Sequence, residues 1–426
     1  MFFALLGALL LAGCGNSDTT SQTNFNNGSG DQPFKPTTHL KHRSVVSNYY
    51  AGDLQVMDAT QDRLTTFTFA TGSEPTYLQS SPDGTLTFVN NTGSNSISSL
   101  NNNLESVKGT INLGGSTESF VTSVSNFIGF AAVPSYSNGT FRVPGAIVRF
   151  NPTDGSLNTQ IMFPNVQYLA MDVAEKHLLA FTAVDDDAHW VDLTTIDPTT
   201  LVPVVSVLTT LPTGTLTRPI AAFFSSDSTK AYILSCGVEC GGNSTTIAGT
   251  SYPATVTEID VTTPSAATVV KQWGVNGAQR GMIDLTANKL YVVGSTGATT
   301  VDAGGNNVND GYFTVIDLAA GTAAAPIKIG NGSKRIIRNV NGIFWVGAQN
   351  CGVQSCITRV NPTTGAAPLL AIANGSATGI SLSVNSGETY TIEGGGLFIY
   401  DKNANPVTSE YNTDIRGQAS DVLYID

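Results

Sequence analysis

The chain repeats a two-strand pattern along most of its length, and this repeat is the strongest constraint on its fold. Runs of β-branched and aromatic residues alternate with short turns containing Asp-Gly, Asn-Pro or Thr-Gly, a pattern typical of successive β-hairpins. Two hairpins make a four-stranded antiparallel unit, which is too small to bury its own faces. Radial stacking of such units around an axis buries them, so the sequence predicts an all-β fold, a β-propeller of four-stranded antiparallel blades.

The spacing of the units predicts eight blades, with seven as the alternative if one unit is irregular. The inner strands are expected to begin 40 to 61 residues apart, near Thr76, Ser119, Gln167, Pro219, Arg280, Arg335, Thr378 and Gln418. The last inner strand, 418–426, has no partner strands after it, whereas strands at 44–50, 53–59 and 63–70 lack an inner strand. We therefore predict that the two chain ends share one blade and close the ring of a single domain, 43–426.

The N-terminal segment is predicted to be a targeting signal and not part of the folded domain. Its apolar run of about twelve residues is shorter than the ~20 residues that span a bilayer and matches the apolar region of a secretory signal. The sequence Leu11-Ala12-Gly13-Cys14 resembles the lipobox of bacterial lipoproteins. That resemblance implies a signal peptide at 1–13 and a lipid on Cys14.

The residue after the cysteine and the segment that follows it refine the expected location. Gly15, where inner-membrane lipoproteins have Asp, implies by the same resemblance the outer membrane, on its periplasmic or its surface side. Residues 14–42 are rich in Asn, Ser, Thr and Gly without apolar periodicity, so we expect a flexible tether between the lipid and the propeller. The expected location is the cell envelope, with membrane attachment through the lipid alone.

One unit resembles a known repeat. Ser81-Pro82-Asp83-Gly84 is followed by Phe88-Val89-Asn90-Asn91 and then by Ser94-Asn95-Ser96-Ile97-Ser98. The unit of about 25 residues that contains these motifs resembles the YVTN-type β-propeller repeat family, which implies a propeller fold but no particular activity, because propellers carry unrelated functions. Propellers of that family usually have seven blades, one fewer than the repeat spacing indicates here.

Composition limits the classes of partner. Lys and Arg total 20 and Asp and Glu total 32, so the net charge is −12. An acidic surface disfavours binding to the phosphate backbone of nucleic acids. The chain lacks a Gly-x-Ser-x-Gly elbow and a phosphate-binding Gly-Lys-Ser/Thr motif and contains only four histidines. We therefore expect a monomer with no nucleic-acid partner, no cofactor, no metal site and no catalytic residue recognisable from the sequence.

The lengths of the links between strands single out one face of the ring. The links between second and third strands are long at 134–145, 236–254 and 295–311, and they share a face with the links between blades. Loops on a rigid scaffold commonly carry binding, although long insertions without a role are tolerated equally well. Basic residues expected near this face are candidates for binding an anion: Arg218, Arg280, Lys334, Arg335 and Arg416. The alternative is that they pair with acids such as Glu74, Glu118 or Asp414 between blades.

Four cysteines form two close pairs, Cys236 with Cys240 and Cys351 with Cys356. Both pairs follow second strands, in the fourth and sixth units. Export to an oxidising compartment predicts a local disulfide in each pair. A shared zinc site, which needs four Cys or His ligands, is the less favoured alternative because the pairs lie two blades apart.

These observations lead to one functional hypothesis and two alternatives. The leading hypothesis is a lipid-anchored, non-catalytic propeller that binds a ligand, such as an anion, or an envelope protein through its long-loop face. The first alternative is a lactonase-like or glycan-cleaving hydrolase that uses inner-strand carboxylates, for which Asp172, Asp284 and Asp421 are the candidates. The second alternative is a scaffold within an outer-membrane assembly.

Overall fold

The computed structural model describes a defined part of the chain. The described residues are 40, 42–123, 128–137, 139–140, 142–182, 185–196, 203–207, 211–212, 214–383, 386–405, 415 and 417–425. The predicted signal peptide, most of the predicted tether, Cys14 and Arg416 lie outside them. Among the described residues, no helix has the length and apolar character needed to cross a bilayer.

The described chain is built from strands, with two short 3₁₀ turns at Gly237–Cys240 and Pro264–Ala266. The strands, in chain order, are β1 (Arg43–Asn48), β2 (Asp53–Asp58), β3 (Arg63–Ala70), β4 (Pro75–Ser80), β5 (Leu86–Asn91), β6 (Ser96–Asn101), β7 (Ser106–Asn112), β8 (Ser119–Thr122), β9 (Gly129–Val133), β10 (Tyr136–Ser137), β11 (Arg142–Val143), β12 (Ala146–Phe150), β13 (Leu157–Met162), β14 (Val166–Met171), β15 (His177–Thr182), β16 (His189–Ile196), β17 (Pro203–Val207), β18 (Pro219–Phe224), β19 (Lys230–Ser235), β20 (Thr245–Ile247), β21 (Thr250–Tyr252), β22 (Ala254–Asp260), β23 (Thr268–Val275), β24 (Arg280–Asp284), β25 (Lys289–Val301), β26 (Asn307–Asp317), β27 (Thr322–Ala323), β28 (Ile327–Ile329), β29 (Ser333–Val340), β30 (Ile343–Gln349), β31 (Ile357–Val360), β32 (Ala377–Leu382), β33 (Thr389–Glu393), β34 (Gly396–Tyr400) and β35 (Ala419–Tyr424).

These strands form an eight-bladed β-propeller. From the axis outward, blade 1 is β4-β5-β6-β7, blade 2 is β8-β9-β12-β13, blade 3 is β14-β15-β16-β17 and blade 4 is β18-β19-β22-β23. Blade 5 is β24-β25-β26 with β27 and β28 both paired to β26, blade 6 is β29-β30-β31 and blade 7 is β32-β33-β34. Blade 8 is β35-β1-β2-β3. The predicted fold class and the count of eight are confirmed, and every predicted inner strand begins within two residues of its observed start.

The ring closes through the pairing of the last strand with the first, as predicted. Strand β35 is antiparallel to β1, with Val45 opposite Leu423 and Val46 opposite Val422. At the end of this pairing, the backbone N–H of Ile425 donates to the carbonyl of Arg43 at 3.0 Å. Blade 8 is therefore assembled from both ends of the described chain.

Each blade buries both of its faces against its neighbours. Side chains alternate across a strand, so Val45 and Val46, both fully buried, point in opposite directions. Val45 joins an apolar cluster with blade 1, and Val46 joins one with blade 7. The described residues form eight such clusters, one at each seam between adjacent blades. The hydrophobic core therefore consists of eight apolar clusters arranged in a ring, one between each pair of adjacent blades.

Polar side chains also form hydrogen bonds between the inner strands of adjacent blades. The carboxylate of Asp421 in blade 8 accepts a backbone hydrogen bond from Leu78 in blade 1 at 2.8 Å, and it is 3% exposed. Gly379 in blade 7 leaves the space for this carboxylate, because a Cβ there would lie 2.5 Å from Asp421 Oδ1. Ser381 of blade 7 accepts from the N–H of Tyr424 in the same way. Strand β35 is thus tied to the blades on both sides.

Both predicted disulfides are present. Cys236 is bonded to Cys240, with their Cα atoms 5.7 Å apart, and Cys351 is bonded to Cys356, with Cα atoms 5.4 Å apart. Each closes a short loop directly after the second strand of its blade. The shared zinc site is therefore excluded for these cysteines, since their thiols are used in two separate bonds.

Deletion of residues 418–426 is expected to abolish the cooperative thermal unfolding transition. The deletion removes β35 and opens both seams of blade 8, and burial of Val422 and Ile425 alone contributes roughly 1.5–3 kcal/mol each. Circular dichroism melting curves measure the effect. The control replaces hairpin β20–β21, which lies outside the four-stranded sheets, with two glycines; this variant should melt close to the wild type. A truncated protein with the wild-type melting temperature would contradict ring closure.

Asp421 is expected to make the folded state less stable as the pH rises from 4 to 7. Burial raises the pKa of Asp421 from its usual value near 3.8 to about 7. A raised folded-state pKa gives a contribution to stability that is complete below pH 3.8 and lost as the pH passes through about 7. Asp421→Asn should therefore show a smaller decrease in melting temperature between pH 4 and 7 than the wild type. An identical decrease in both proteins would contradict this assignment.

Candidate functional site

A cavity of about 970 Å³ lies on the axis of the ring, at the end where the inner strands begin. Its wall includes the first residues of inner strands from several blades and the last residues of second strands, such as Asn90 and Gln349. This is the end of the ring that also carries the links from second to third strands. The cavity therefore opens on the face that the loop lengths indicate.

The links around the cavity differ greatly in length. In blade 7 the turn between second and third strands is Gly394-Gly395, which lines the cavity. In blade 4 the same link contains the disulfide loop at Gly237–Cys240 and the hairpin β20–β21. In blade 5 strands β25 and β26 continue beyond the blade as a long hairpin, and Asp302 at its tip accepts a hydrogen bond from the N–H of Val353 in blade 6 at 2.9 Å. The longest of these links belong to blades 2, 4 and 5, and the link of blade 2 also contains a short hairpin, β10–β11.

Three arginines of blades 5 and 6 line the cavity: Arg280, Arg335 and Arg338. Arg280 Nε donates to the carbonyl of Arg335 at 3.2 Å, and its Nη1 donates to the carbonyl of Gln279 at 2.8 Å. Arg338 Nη1 donates to the carbonyl of Ile337 at 3.3 Å. Within the part of the chain that the structure describes, no carboxylate lies within ion-pair distance of these three guanidinium groups. Backbone carbonyls hold the guanidinium groups of Arg280 and Arg338, and all three arginines line the cavity.

The cavity wall is positively charged although the protein is acidic. Its described charged residues are the three arginines and Glu118, which give a net charge of +2 (three minus one) in a chain of net charge −12. Burial lowers the pKa of Arg280 from its usual value, and the positive charge of Arg335 acts in the same direction. A guanidinium nevertheless stays protonated in proteins. A cavity lined by one sign of charge concentrates ions of the opposite sign.

Four tyrosines line the cavity, and two of them, Tyr77 and Tyr168, supply neutral hydroxyl groups from inner strands. Tyr77 is 39% exposed and Tyr168 is half-buried, and both line the cavity. Limited hydration in the cavity raises the pKa of both phenols above the usual value near 10, against the opposing effect of the arginines. Both phenols therefore keep their protons at neutral pH and can donate hydrogen bonds to an anion.

The remaining wall combines Thr, Ser, Asn and Gln side chains with apolar ones. Phe120, Ile220, Ile336 and Ile337 are each less than 10% exposed, and the half-buried Met282 lies beside them in the lining. The ring of Phe120 meets that of Tyr77 edge to face, with centroids 6.0 Å apart. The cavity therefore combines cationic groups from blades 5 and 6 with neutral polar and apolar side chains from several blades.

The structure brings together two of the five basic residues nominated from the sequence. Arg280 and Arg335 line the cavity, and Arg416 lies outside the described residues. Arg218 is not part of the lining: its backbone N–H donates to Asp186 at 2.8 Å and its Cγ lies near Gly242. Pairing with Glu74 or Glu118 is not seen for the two cavity arginines among the described residues.

Lys334 is buried between blades and does not line the cavity. Its side chain is 1% exposed, and its Nζ donates to the carbonyls of Gly330 and Asn331, the latter at 3.2 Å. Burial lowers its pKa from the usual value near 10.5 to about 7, with Glu239 acting in the opposite direction. Lys334 is therefore enclosed between blades, while the next residue, Arg335, reaches the cavity.

Arg338 is the cavity arginine that the sequence analysis missed. It lies three positions after Arg335 on the same inner strand, β29, so the available signal was a second arginine on a predicted inner strand. A register irregularity between Lys334 and Ile336 breaks the regular alternation of that strand. A simple period of two therefore does not place both arginines on the axis.

The three inner-strand carboxylates of the hydrolase alternative do not line the cavity. Asp172 accepts hydrogen bonds from the backbone of Lys176 and His177 in the turn after β14, and Asp284 accepts from the backbone of the turn after β24. Asp421 is the seam contact described above. Each carboxylate is thus held by backbone donors in a separate place. No group of three or more Cys, His, Asp or Glu suited to a metal ion occurs among the described residues.

Comparison with known proteins supports the fold alone. No protein-family model and no curated protein matches the chain. Among solved structures, dihydro-heme d1 dehydrogenase NirN in complex with DHE matches with a TM-score of 0.63 at 12% identity, covering 92% of this chain and 78% of that one. A functionally unknown protein from Desulfotomaculum acetoxidans matches with a TM-score of 0.54 at 11% identity, covering 90% and 98%. At these identities the likeness concerns the arrangement of blades.

Proposed function

We propose that this protein is a lipoprotein of the cell envelope whose propeller binds an anionic small molecule in its central cavity without transforming it. The observation that carries the proposal is the group of three arginines, Arg280, Arg335 and Arg338, which line the cavity without a carboxylate partner among the described residues. Guanidinium groups bind carboxylates and phosphates through short, charge-assisted hydrogen bonds. An anion in the cavity would supply the missing partners.

The fixed geometry of Arg280 supports this function. Two of its guanidinium nitrogens, Nε and Nη1, are already bonded to backbone carbonyls, which restricts the rotamers available to the side chain. Binding through a group that is already oriented loses less conformational entropy than binding through a free surface side chain. The phenols of Tyr77 and Tyr168 are neutral donors in the same wall.

The proposed relationship to YVTN-type repeats rests on blade 1. Ser81 to Gly84 form the turn between β4 and β5, where Ser81 Oγ donates to Asp83 and accepts from the N–H of Leu86. The amide of Asn91, at the end of β5, donates to the hydroxyls of Ser96 and Ser98. These contacts give the Ser-Pro-Asp-Gly turn and the serine-asparagine turn defined structural roles. The remaining blades share the architecture with different turn sequences.

Replacement of Cys14 is expected to release the protein from the membrane. If Cys14 carries the lipid, Cys14→Ser removes the acyl chains that hold a lipoprotein at the bilayer. The measurement is fractionation of cells into membrane and soluble material, with metabolic labelling by a fatty-acid analogue. Cys351→Ser, which removes a propeller cysteine, is the control and should keep the label. Labelling of the Cys14→Ser protein would contradict the proposed anchor.

Removal of either cavity arginine is expected to weaken the binding of dicarboxylates. A hydrogen bond to a charged group contributes about 1.5–3 kcal/mol, so Arg280→Ala and Arg335→Ala should each raise the dissociation constant about ten- to hundredfold. Titration calorimetry with glutarate and with isophthalate at low salt measures this. Added salt should weaken binding further because it screens the charges.

The matched control for these variants is Arg63→Ala. Arg63 is exposed on β3, the outer strand of blade 8, and is not part of the cavity lining. Its replacement changes the net charge by the same amount and should leave the affinities unchanged. Equal affinities in the wild type and both cavity variants, or no binding of either dianion to the wild type, would overturn the proposed function.

A further inference from the structure

We infer that Lys334 is a positioning residue of the central cavity, which fixes the backbone around Arg335 from behind the wall and couples anion binding to its own protonation. The inference rests on the proposed function, because it concerns the same cavity. Lys334 does not contact an occupant of the cavity directly, since its side chain is 1% exposed and is not part of the lining. Three features support this role: a bulge in β29, the contacts of the ammonium group and the charges around it.

A β-bulge in the inner strand of blade 6 directs Arg335 towards the axis. In the pairing of β29 with β30, Lys334 lies opposite Ala348. The next pair joins Ile336 to Gly347, which leaves Arg335 as an extra residue without an opposite partner. A bulge re-aims a side chain and bends its strand. The backbone just before the bulge therefore determines where the guanidinium group of Arg335 lies.

The ammonium group of Lys334 holds this backbone in place. Its Nζ donates to the carbonyls of Gly330 and Asn331, which belong to the link that leads into β29, and the bond to Asn331 measures 3.2 Å. Gly311 of β26 leaves the space for this group, because a Cβ there would collide with Nζ. Lys334 thus closes a tight loop of chain directly before Arg335.

The same peptide unit also orients a second cavity arginine. Arg280 Nε donates to the carbonyl of Arg335 at 3.2 Å, so a displacement of this carbonyl would displace the guanidinium group of Arg280 as well. Both arginines line the cavity, one from blade 5 and one from blade 6. Lys334 therefore acts on an anion through two residues that contact it.

Two opposing effects set the protonation of Lys334. Burial disfavours the ammonium form, whereas the charge of Glu239 in the disulfide loop of blade 4 favours it, and the resulting pKa of Lys334 is about 7. Glu239 is held next to the hairpin of blade 5, because it accepts from the N–H of Ser295 at 2.7 Å. Asp310, the acid on β26 nearest in sequence to this contact, is paired with Lys328 at 3.2 Å.

An anion in the cavity shifts this balance towards the ammonium form. Its negative charges lie across the wall from a buried side chain, where water and salt screen the attraction weakly. Binding therefore raises the pKa of Lys334 above about 7 and takes up part of a proton at neutral pH. By the same linkage, anions bind more tightly at pH 6.5, where more of Lys334 is charged, than at pH 9, where it is neutral.

The pH dependence of glutarate binding tests this inference. Both carboxyl groups of glutarate and the guanidinium groups of the cavity are ionised from pH 6.5 to 9. Titration calorimetry of the wild type at low salt should show about three- to tenfold weaker binding at pH 9 than at pH 6.5. Repetition at pH 7 in buffers of different ionisation enthalpy should show an uptake of about 0.2–0.4 proton per glutarate.

Three variants assign the titration to one group. Lys334→Met removes the charge and keeps most of the volume, so it should bind glutarate no more tightly at any pH than the wild type does at pH 9, without proton uptake. Glu239→Gln keeps an acceptor for Ser295 and removes the charge that favours the ammonium form, so the midpoint of the pH dependence should move to lower pH. Lys108→Met, at an exposed position on β7, is the matched control and should behave as the wild type.

The outcomes distinguish this inference from the proposed function. Glutarate binding that is weakened in Arg335→Ala but has the same affinity from pH 6.5 to 9 would overturn the role of Lys334 and leave anion binding in place. Weakening by the same factor at every pH in Lys334→Met would indicate a structural residue only and would also overturn it. Loss of the pH dependence in Glu239→Gln would assign the titration to Glu239 instead.

Two further results complete the test. If melting curves show that Lys334→Met is unfolded, the midpoint shift in Glu239→Gln and the proton uptake of the wild type decide the question. Absence of binding by both glutarate and isophthalate to the wild type would overturn this inference together with the proposed function.

Discussion

The structure depends on sheets that are apolar on both faces. A four-stranded sheet with one solvent-exposed face can pack against a single neighbouring sheet. Each blade here buries both faces and therefore needs a neighbour on either side. Val45 and Val46, adjacent in sequence and both fully buried, belong to different seams. A linear stack would leave an apolar face at each end, whereas a closed ring leaves none. The pairing of β35 with β1 therefore determines whether the other seams can be satisfied, and contacts of Asp421 and Ser381 fix that strand between its neighbours.

Closure also creates the site. Eight inner strands around an axis leave a space, and the residues at their starts determine its chemistry. In this chain the apolar side chains that stabilise the fold are buried at the seams. The positions facing the axis can therefore carry charged residues, here Arg280, Arg335 and Arg338. These cationic groups would repel one another in an unsupported loop. Here Arg280 donates to the carbonyls of Gln279 and Arg335, and Arg338 donates to the carbonyl of its neighbour Ile337. Because the ring fixes the strands that carry these residues, a protein with a large negative net charge can present a cationic cavity.

The sequence was sufficient for features that local patterns determine. Period-two alternation and turn residues located the inner strands, the blade count and the closing strand, and the five- or six-residue spans of Cys236–Cys240 and Cys351–Cys356 indicated local disulfides. The direction in which side chains of the inner strands point was harder to predict from the sequence. The irregularity between Lys334 and Ile336 encloses Lys334 while Arg335 and Arg338 both reach the axis. Likewise, the strand position of Asp172 and Asp284 did not reveal that their carboxylates fold back onto the following turn. Both effects depend on local backbone geometry that a two-residue period does not describe.

The hydrogen bond between Ile425 and Arg43 places the two ends of the described chain beside each other. The order of the blades around the ring is therefore independent of where the polypeptide is cut. Joining these ends through a short linker and opening the chain in a link between two other blades would give a circular permutant with every seam preserved. In such a permutant every blade would be built from one continuous segment of the chain, so the pairing of β35 with β1 would no longer depend on the meeting of two chain ends.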